Sequence, residues 1–218
     1  MIASLVCALA CYFSIFQEES LEAMDYVASH QDEINTSLEN LKPDERNIAL
    51  AIVAPELSQY STICDFMELN TLYALYVSTG SGNFSVGPFQ MKPSFAENLE
   101  NYISADIQLT RVFSHLIPKG TEKEQRRKRL KRLSTLEGEL EYLVLFIEAV
   151  RRQTADITFT NDIEKLRYWA TLYNSGLSLT PENVKEAQTK KLFPRFRKSF
   201  NYADVAVEFY SHIISTSR

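Results

Sequence analysis

The chain is poor in the residues that build flexible linkers, disulfides and metal sites. Its 218 residues include 6 glycines, 7 prolines, 3 cysteines and 3 histidines. So few glycines and prolines argue against long flexible linkers. Cys7 and Cys11 lie in the first apolar stretch, which leaves Cys64 without an internal disulfide partner in the rest of the chain. The histidines are scattered without the spacing of metal ligands, so we expect neither a metal site nor a cofactor.

An excess of basic residues is also absent. The formal net charge is −5, and this balance does not favour nucleic acid as a partner. The hydrophobic fraction of 45% argues against a wholly disordered chain. The length suits one globular domain with a sizeable core.

Residues 1–16 form an apolar stretch without charged side chains. The stretch is shorter than the roughly 20 residues of a membrane-spanning helix, but it is long enough for the core of a secretion signal. Ala8-Leu9-Ala10 fits a small-residue cleavage site, and Ala10-Cys11 loosely resembles a lipoprotein junction. No basic residue precedes the stretch, so a helix of the protein core is the alternative. We expect an exported protein of the periplasm or cell envelope, with residues 17–218 as the functional domain and membrane association through residues 1–16 left open.

The apolar pattern after this stretch is mostly helical. Because Pro55 has no amide hydrogen and restricts the residue before it, we expect a helix that begins at Pro43 to end or kink there. Glycines punctuate residues 78–93, which predicts a turn-rich loop or a small hairpin. The sequence predicts an all-α single domain with at most a small hairpin. The other predicted helices cover residues 20–38, 62–77, 160–173 and 201–214, one from Ser94, one from Thr121 to about Arg152, and a short one from Thr180.

Glu56 directly follows a strongly apolar helical segment, residues 48–53. An apolar setting disfavours the ionised form of a carboxyl group and raises its pKa. A raised pKa is what a proton donor needs for the cleavage of a glycosidic bond near neutral pH. Taken alone, however, Glu56 is better explained as an ordinary surface glutamate at a helix end.

A glycine-containing turn follows at residues 85–91, with the sequence S-V-G-P-F-Q-M. Gly87 allows a close backbone approach or a positive φ. Gln90 offers an amide donor and acceptor to sugar hydroxyl or acetamido groups. Phe89 and Met91 are placed either to pack beneath the turn or to line a cleft, and Ser85 begins the segment.

A third segment, Tyr173-Asn174-Ser175-Gly176, ends a predicted helix, where asparagine and glycine are favoured. In this order, Glu56 and the two segments resemble the catalytic glutamate, the G-L-M-Q segment and the A-Y-N-A-G element of the lysozyme-like domain of the lytic transglycosylases. These enzymes cut the glycan strands of bacterial peptidoglycan. Residues 91–96 and the final helical stretch 202–210 extend the resemblance, which spans residues 45–210 in outline.

The resemblance implies a lysozyme-like fold with a catalytic cleft. It implies Glu56 as a single general acid and base that cleaves the β-1,4 bond from N-acetylmuramic acid to N-acetylglucosamine and leaves a 1,6-anhydro end. The implied partner is the peptidoglycan glycan strand. The resemblance also implies substrate contacts from Ser85, Phe89, Gln90, Met91, Tyr173 and Asn174.

Departures from the family pattern leave two questions open. Gln90 lies 34 positions after Glu56, longer than the common family spacing, although goose-type lysozymes of the same broader fold tolerate longer excursions. Glu68 lies 22 positions before Gln90 and is a rival for the acid. A lysozyme-like hydrolase is the alternative function and would need a second carboxylate, from Asp65, Glu68 or Asp106. A non-catalytic module that binds glycan or scaffolds an envelope complex is the other alternative.

A basic run between Arg126 and Arg132 is the remaining marked feature. It predicts either contact with an anionic wall polymer or phospholipid headgroups, or a solvated helix face.

Overall fold

The computed structural model describes residues 11–60, 66–82, 84–195 and 198–216. The prediction of a mostly helical chain is confirmed for these residues, which also contain a two-stranded antiparallel hairpin. In chain order the elements are α1 (Cys11–Ile15), α2 (Gln17–Ser29), α3 (Gln31–Ser37), α4 (Pro43–Tyr60), α5 (Phe66–Thr79), α6 (Pro93–Ala105), α7 (Ile107–Phe113), a 3-10 turn (Ser114–Leu116), α8 (Glu122–Leu133), α9 (Leu136–Gln153), α10 (Asp162–Ser175), α11 (Pro181–Ala187), β1 (Phe193–Arg195), β2 (Lys198–Phe200) and α12 (Tyr202–Thr216).

Helix α4 lies at the centre of the fold. It is apolar nearly all round, so every side of the helix gains from burial. Ile48, Ala51 and Ile52 are completely buried, and α2, α9, α10 and α12 all pack against the helix. The predicted burial of this segment is confirmed, with the half-buried Leu50 as the exception.

The helix was predicted to end or kink at Pro55, and the predicted end is wrong, because α4 continues to Tyr60. A proline inside a helix removes one backbone hydrogen bond and typically costs about 3 kcal/mol. Packing around the central helix outweighs that cost, since Pro55 is itself buried. The Tyr202 hydroxyl of α12 also donates to the Ile52 carbonyl at 2.8 Å. Glu56 therefore lies inside a helix, one turn before its end, rather than at a helix boundary.

Two predicted long helices are divided in the structure. The predicted helix 20–38 breaks at His30, between α2 and α3. The predicted helical region 121–152 breaks between α8 and α9, where Thr135 is the N-cap of α9 and its hydroxyl accepts from the Gly138 amide at 3.2 Å. Such local capping bonds compete with a continuous helix, and hydrophobic periodicity does not register them.

Residues 94–97 and 121–124, at two of the predicted helix starts, match the capping-box pattern of Ser or Thr followed three residues later by Glu. The structure confirms one of the two boxes. At Thr121 the box is present, with reciprocal bonds to Glu124. At Ser94 it is absent, because Lys92 is the N-cap of α6 and Pro93 is its first residue. Proline suits that first position, since its missing amide hydrogen would have no partner there in any case.

Strand pairing falls outside the predicted loop. The hairpin pairs Phe193 with Phe200, just before α12. The predicted loop instead carries an isolated bridge between Val86 and Met91, with both backbone hydrogen bonds at 3.0 Å. The turn between these two residues forms part of the cleft described below.

Helix α1 belongs to the stretch that was predicted as an export segment. Tyr12 is completely buried, and the Tyr12 and Phe13 amides donate to the Glu208 carboxylate on α12, at 3.1 and 2.7 Å. Residues 1–10, with the predicted cleavage site and Cys7, lie outside the described residues, as does Cys64. In the described part of the chain, no helix combines the length and the hydropathy that a membrane crossing requires.

Candidate active site

A cleft of about 480 Å³ brings together most of the predicted site residues. Helix α4, the turn 85–91, the start of α6, the end of α10 and β1 contribute its walls. The predicted residues that line it are Glu56, Ser85, Gln90, Met91, Tyr173 and Asn174. The full lining comes from four separate parts of the chain, residues 56–59, 85–98, 173–176 and 192–194, which the fold brings together.

Glu56 is partly exposed to this cleft and otherwise surrounded by protein. Within the described ranges, no hydrogen bond or ion pair involves its carboxyl group. Burial raises the pKa of Glu56 to about 7, and the positive charge of Lys92 offsets part of this rise. Near neutral pH the group is therefore present in both its protonated and its ionised form, so it is suited to donate a proton and to take one back.

The turn 85–91 approaches helix α9 very closely at Gly87. Its φ is +71°, a conformation that favours glycine. A β-carbon at this position would lie 2.5 Å from the carboxyl carbon of Glu139 and would also collide with the Leu133 carbonyl oxygen. Both glycine properties that the sequence suggested are thus required here.

Glu139, which the sequence analysis missed, holds the turn from below. It is completely buried, and the Phe89 amide donates to its two carboxyl oxygens at 3.1 and 3.2 Å. Burial raises the pKa of Glu139 well above its usual range, and the backbone amides of the turn only partly offset this. A signal was present, because Glu139 lies four and seven positions before the buried Leu143 and Phe146, on the apolar face of α9.

Gln90 projects from the turn into the cleft with a φ of +50°. Its side-chain amide donates to the Gly87 carbonyl at 2.7 Å, which orients the group. Its second N–H and its side-chain oxygen have no partner among the described residues. These two groups are available to a ligand with hydroxyl or acetamido groups.

Tyr173 closes the cleft from α10. Its hydroxyl donates to the Phe89 carbonyl at 3.1 Å, so it bonds the turn and not Glu56. Its ring packs edge-on against Phe95 and Phe146. Burial, with the nearby carboxyl groups of Glu56 and Glu139, raises the pKa of Tyr173 well above its usual range. Tyr173 is therefore a neutral phenol that ties the turn to the helix end.

Phe89 and Met91 occupy different places. Phe89 is completely buried and packs beneath the turn, so its side chain does not contribute to the cleft wall as the predicted substrate contact required. Its apolar ring gains more from burial in the core than from exposure in a polar cleft. Met91, 2% exposed, lies at the base of the cleft. At the end of α10, Gly176 is the C-cap with a φ of +108°, as predicted for this segment.

The rival carboxylates are distributed as follows. Glu68 falls in α5, but its side chain, like all of Asp65, lies outside the described residues. Asp106 is the N-cap of α7, accepts from the Gln108 amide at 2.8 Å and pairs with Arg152 at 3.0 Å. It does not line the cleft. Among the described residues, Glu56 is the acidic side chain of the cleft.

The basic run does not form one uniform face. Arg129 is 5% exposed and pairs with Glu100 and, at 2.8 Å, with Glu97. Arg132 donates to the backbone carbonyls of the 3-10 turn. Lys131 is exposed. Part of the run therefore holds helices together, which neither predicted interpretation included.

Several lining residues were not among the predicted site residues, although Lys92 lies in the segment 91–96 that extends the resemblance. Lys92 and Asn98 come from the start of α6, Gln59 from the end of α4, and Leu192 and Pro194 from the hairpin region. No three His, Cys, Asp or Glu residues in the described ranges cluster as metal ligands would. The chain matches no known protein family model, no curated protein sequence and no solved structure.

Proposed function

We propose that the protein is a peptidoglycan lytic transglycosylase in which Glu56 is the single acid and base. The proposal depends on one observation: the Glu56 carboxyl group, which has no partner among the described residues, lines the same cleft as Gln90 and Tyr173. The sequence resemblance assigned these three residues to one site, and they come from positions far apart in the chain. Because peptidoglycan lies outside the cytoplasm, the proposal includes export to the cell envelope.

The proposed reaction uses the two forms of Glu56 in turn. The protonated carboxyl gives its proton to the oxygen that joins N-acetylmuramic acid to N-acetylglucosamine, and the bond from that oxygen to C1 of the muramic sugar breaks. The new carboxylate then takes the proton of the C6 hydroxyl as its oxygen bonds to C1. The product is a 1,6-anhydro sugar, no water is consumed, and Glu56 ends protonated as it began.

The electrostatics of the cleft favour this cycle. A pKa of about 7 keeps the acid partly protonated in neutral solution, whereas an ordinary glutamate, with a pKa of about 4.3, is almost fully ionised there. The second N–H and the side-chain oxygen of Gln90, which have no partner among the described residues, suit the hydroxyl or acetamido groups of the sugar. Tyr173 and Glu139 hold the turn that presents Gln90, and such preorganisation reduces the reorganisation needed when the substrate binds.

The absence of a second acid among the described lining residues favours a lyase over a hydrolase. Glycoside hydrolysis normally uses two carboxyl groups, separated by about 5–5.5 Å or 6.5–9.5 Å. Asp106 is engaged elsewhere, so a lysozyme-like hydrolase would depend on Asp65 or Glu68. The experiment below therefore includes Glu68.

The test is digestion of purified sacculi followed by mass spectrometry of the released muropeptides. We compare the unaltered protein with Glu56→Gln, with Glu68→Gln for the rival acid, and with Glu39→Gln as an exposed control. We expect the unaltered protein, Glu68→Gln and Glu39→Gln to release muropeptides with 1,6-anhydro ends at similar rates. In Glu56→Gln the rate of release should fall by about 10²–10⁴-fold, the usual effect of losing a general acid.

The other outcomes separate the alternatives. Reducing muramic ends would show a hydrolase and contradict the proposal. Loss of activity in Glu68→Gln with full activity in Glu56→Gln would move the acid to α5. No release by the unaltered, folded protein would favour a non-catalytic glycan-binding or scaffolding module.

A further inference from the structure

The cleft contains a second charged side chain, Lys92, for which the proposed chemistry has no use. Lys92 lines the cavity together with Glu56, and it is exposed. Across the described ranges no hydrogen bond or ion pair to its side chain occurs. The other polar side chains of the lining are uncharged: Gln59, Ser85, Gln90, Ser94, Asn98, Tyr173, Asn174 and Ser175.

The fold fixes the backbone of Lys92, while its side chain has no partner in the described part of the chain. Lys92 is the N-cap of α6 in an extended conformation, and the Phe95 and Ala96 amides donate to its carbonyl at 2.9 and 3.2 Å. Its side chain makes no capping bond. The positive end of the α6 dipole adds to the charge of the ammonium group at this point. The start of α6 therefore places at the wall of the cleft a cation that no anion of the described residues neutralises.

The charge balance of the cleft indicates which kind of ligand would pair with Lys92. With Glu56 protonated, as its first proposed step demands, the described lining carries one net positive charge, that of Lys92. A neutral glycan such as chitin has nothing to balance it. A glycan that carries carboxylates does, and ammonium and carboxylate groups form charge-assisted hydrogen bonds.

We propose that Lys92 is a specificity residue that binds a carboxylate of the glycan beside the bond that Glu56 cleaves, so that the cleft selects muramic strands over chitin. This inference rests on the proposed function. In peptidoglycan the carboxylate has two sources. One is the lactyl group of a muramic sugar without its peptide, and the other is the stem peptide itself.

Binding at Lys92 would also act on Glu56. The charge of Lys92 lowers the pKa of Glu56 in the free cleft, and a bound carboxylate would cancel this effect and favour the protonated acid. By reciprocity, a carboxylate ligand binds more tightly when Glu56 is protonated, that is, below about pH 7. Burial raises the pKa of the other titratable groups around the cleft, Tyr173 on α10, Tyr202 on α12 and Glu139 on α9.

The test measures the binding of short ligands that lack the cleavable bond, by NMR titration at pH 6 and pH 8. The ligands are the disaccharide GlcNAc-MurNAc with a free lactyl carboxylate, the same disaccharide with its stem peptide, and chitobiose without a carboxylate. The proteins are the unaltered chain, Lys92→Met, Glu56→Gln and Lys42→Met. Lys42 is a matched control, because it is exposed and also precedes the proline that begins a helix.

We expect the unaltered protein to prefer a carboxylate ligand over chitobiose by about fivefold at low salt, the range of an exposed ion pair. Lys92→Met loses this preference and Lys42→Met keeps it. The preference is larger at pH 6 than at pH 8, and in Glu56→Gln it does not change with pH. The ligand whose affinity falls in Lys92→Met identifies the source of the carboxylate.

A carboxylate preference that Lys92→Met leaves intact would overturn the inference, as would equal binding of all three ligands by the unaltered protein. If sacculi are still cleaved in that case, the proposed function stands without it. If Lys92 governs binding but sacculi are not cleaved, the binding inference holds and the catalytic proposal fails. If no ligand binds and no sacculus is cut, both are overturned.

Discussion

Glu45 and Glu56 lie on the same central helix, and their environments are opposite. Glu45 is 1% exposed and bonded to Arg151 and Lys165. Burial alone would raise the pKa of Glu45, but the bonds to these two cations outweigh it and lower the pKa. Glu56 has no such bonds among the described residues, and its pKa rises to about 7.

The difference teaches that burial of a carboxyl group does not by itself mark a functional site. The charged partners of the carboxyl group decide its state. With cations bonded to it the group stays ionised and stabilises the fold, and without them burial favours the protonated form, which can donate a proton. Glu45, bonded to cations on α9 and α10, joins three helices as an anion. Glu56 faces a cleft, where a bound ligand can supply the hydrogen-bond partner of its carboxyl group.

Removing the charge of Glu45, near the N-terminus of α4, should have the largest effect on stability. Glu45→Gln leaves Arg151 and Lys165 without their buried anion, and we expect a loss of about 3 kcal/mol in the free energy of unfolding at pH 7. Because the folded-state pKa is lowered, this stability is present above the unfolded pKa and is lost as the pH falls through the folded value. Urea unfolding at pH 7 and pH 3 measures it, with Glu39→Gln as the exposed control. Equal stability of variant and parent at pH 7 would contradict the comparison.

The equivalent substitution at Glu56, near the C-terminus of α4, should change the free energy of unfolding in the opposite direction. The pKa of Glu56 is raised, so the folded state loses stability as the pH rises from the unfolded value to about 7. Glu56→Gln removes this loss. The raised pKa alone corresponds to more than about 3 kcal/mol, but the carboxyl group is partly exposed to the cleft, so solvent screening reduces the effect and we expect the variant to be more stable than the parent by about 2 kcal/mol at pH 8. At pH 4 the two should be equal. A variant less stable than the parent at pH 8 would show that the Glu56 carboxylate has a stabilising partner.

The turn beside Glu56 should be sensitive to a single methyl group. Gly87→Ala forces a β-carbon against Glu139 at a φ of +71°, and we expect a loss of about 1.5 kcal/mol together with reduced sacculus cleavage. Gly176→Ala is the matched control, because its φ of +108° is strained but nothing lies within 4 Å of the new β-carbon. Thermal unfolding compares the two. A smaller loss for Gly87→Ala than for Gly176→Ala would refute the close packing on Glu139.

The smallest expected change is at the hydroxyl of Tyr173. Tyr173→Phe leaves the Phe89 carbonyl without this donor, which should lower stability by about 1 kcal/mol. It should also weaken sugar binding modestly, because Gln90 is then less firmly positioned. Tyr102→Phe is the control, since the Tyr102 hydroxyl has no partner among the described residues. Identical urea midpoints for the two variants would remove Tyr173 from the support of the turn.

Much of the helical scaffold could be predicted from local chemistry. The apolar circumference of α4, the capping box at Thr121 and the glycine end of α10 each depend on residues close in sequence. The continuation of α4 through Pro55 could not, because the packing that outweighs the proline comes from distant helices. Capping at Thr135 was missed because it consists of one local hydrogen bond, from the Gly138 amide to the Thr135 hydroxyl, inside a long amphipathic pattern.

The residues of the candidate site also divide into those that the sequence predicted and those that it did not. Gln90, Tyr173 and Glu56 were predicted to meet, and they line one cleft. Glu139 and Lys92 were missed, although Glu139 lies in register with an apolar face. Lys92 lies in the segment 91–96 that extends the resemblance, but the family pattern as matched there assigns no role to the lysine itself.

The sequence by itself determined that α4 would be buried and that Glu56 would have apolar neighbours, because hydrophobic burial follows from the residues along one helix. Only the tertiary structure decided which glutamate of that helix would be neutralised. Arg151 and Lys165 reach Glu45 from 106 and 120 positions away, while no described cation pairs with Glu56. The state of a carboxyl group depends on charges within a few ångströms in space, and chain folding alone determines which charges come that close.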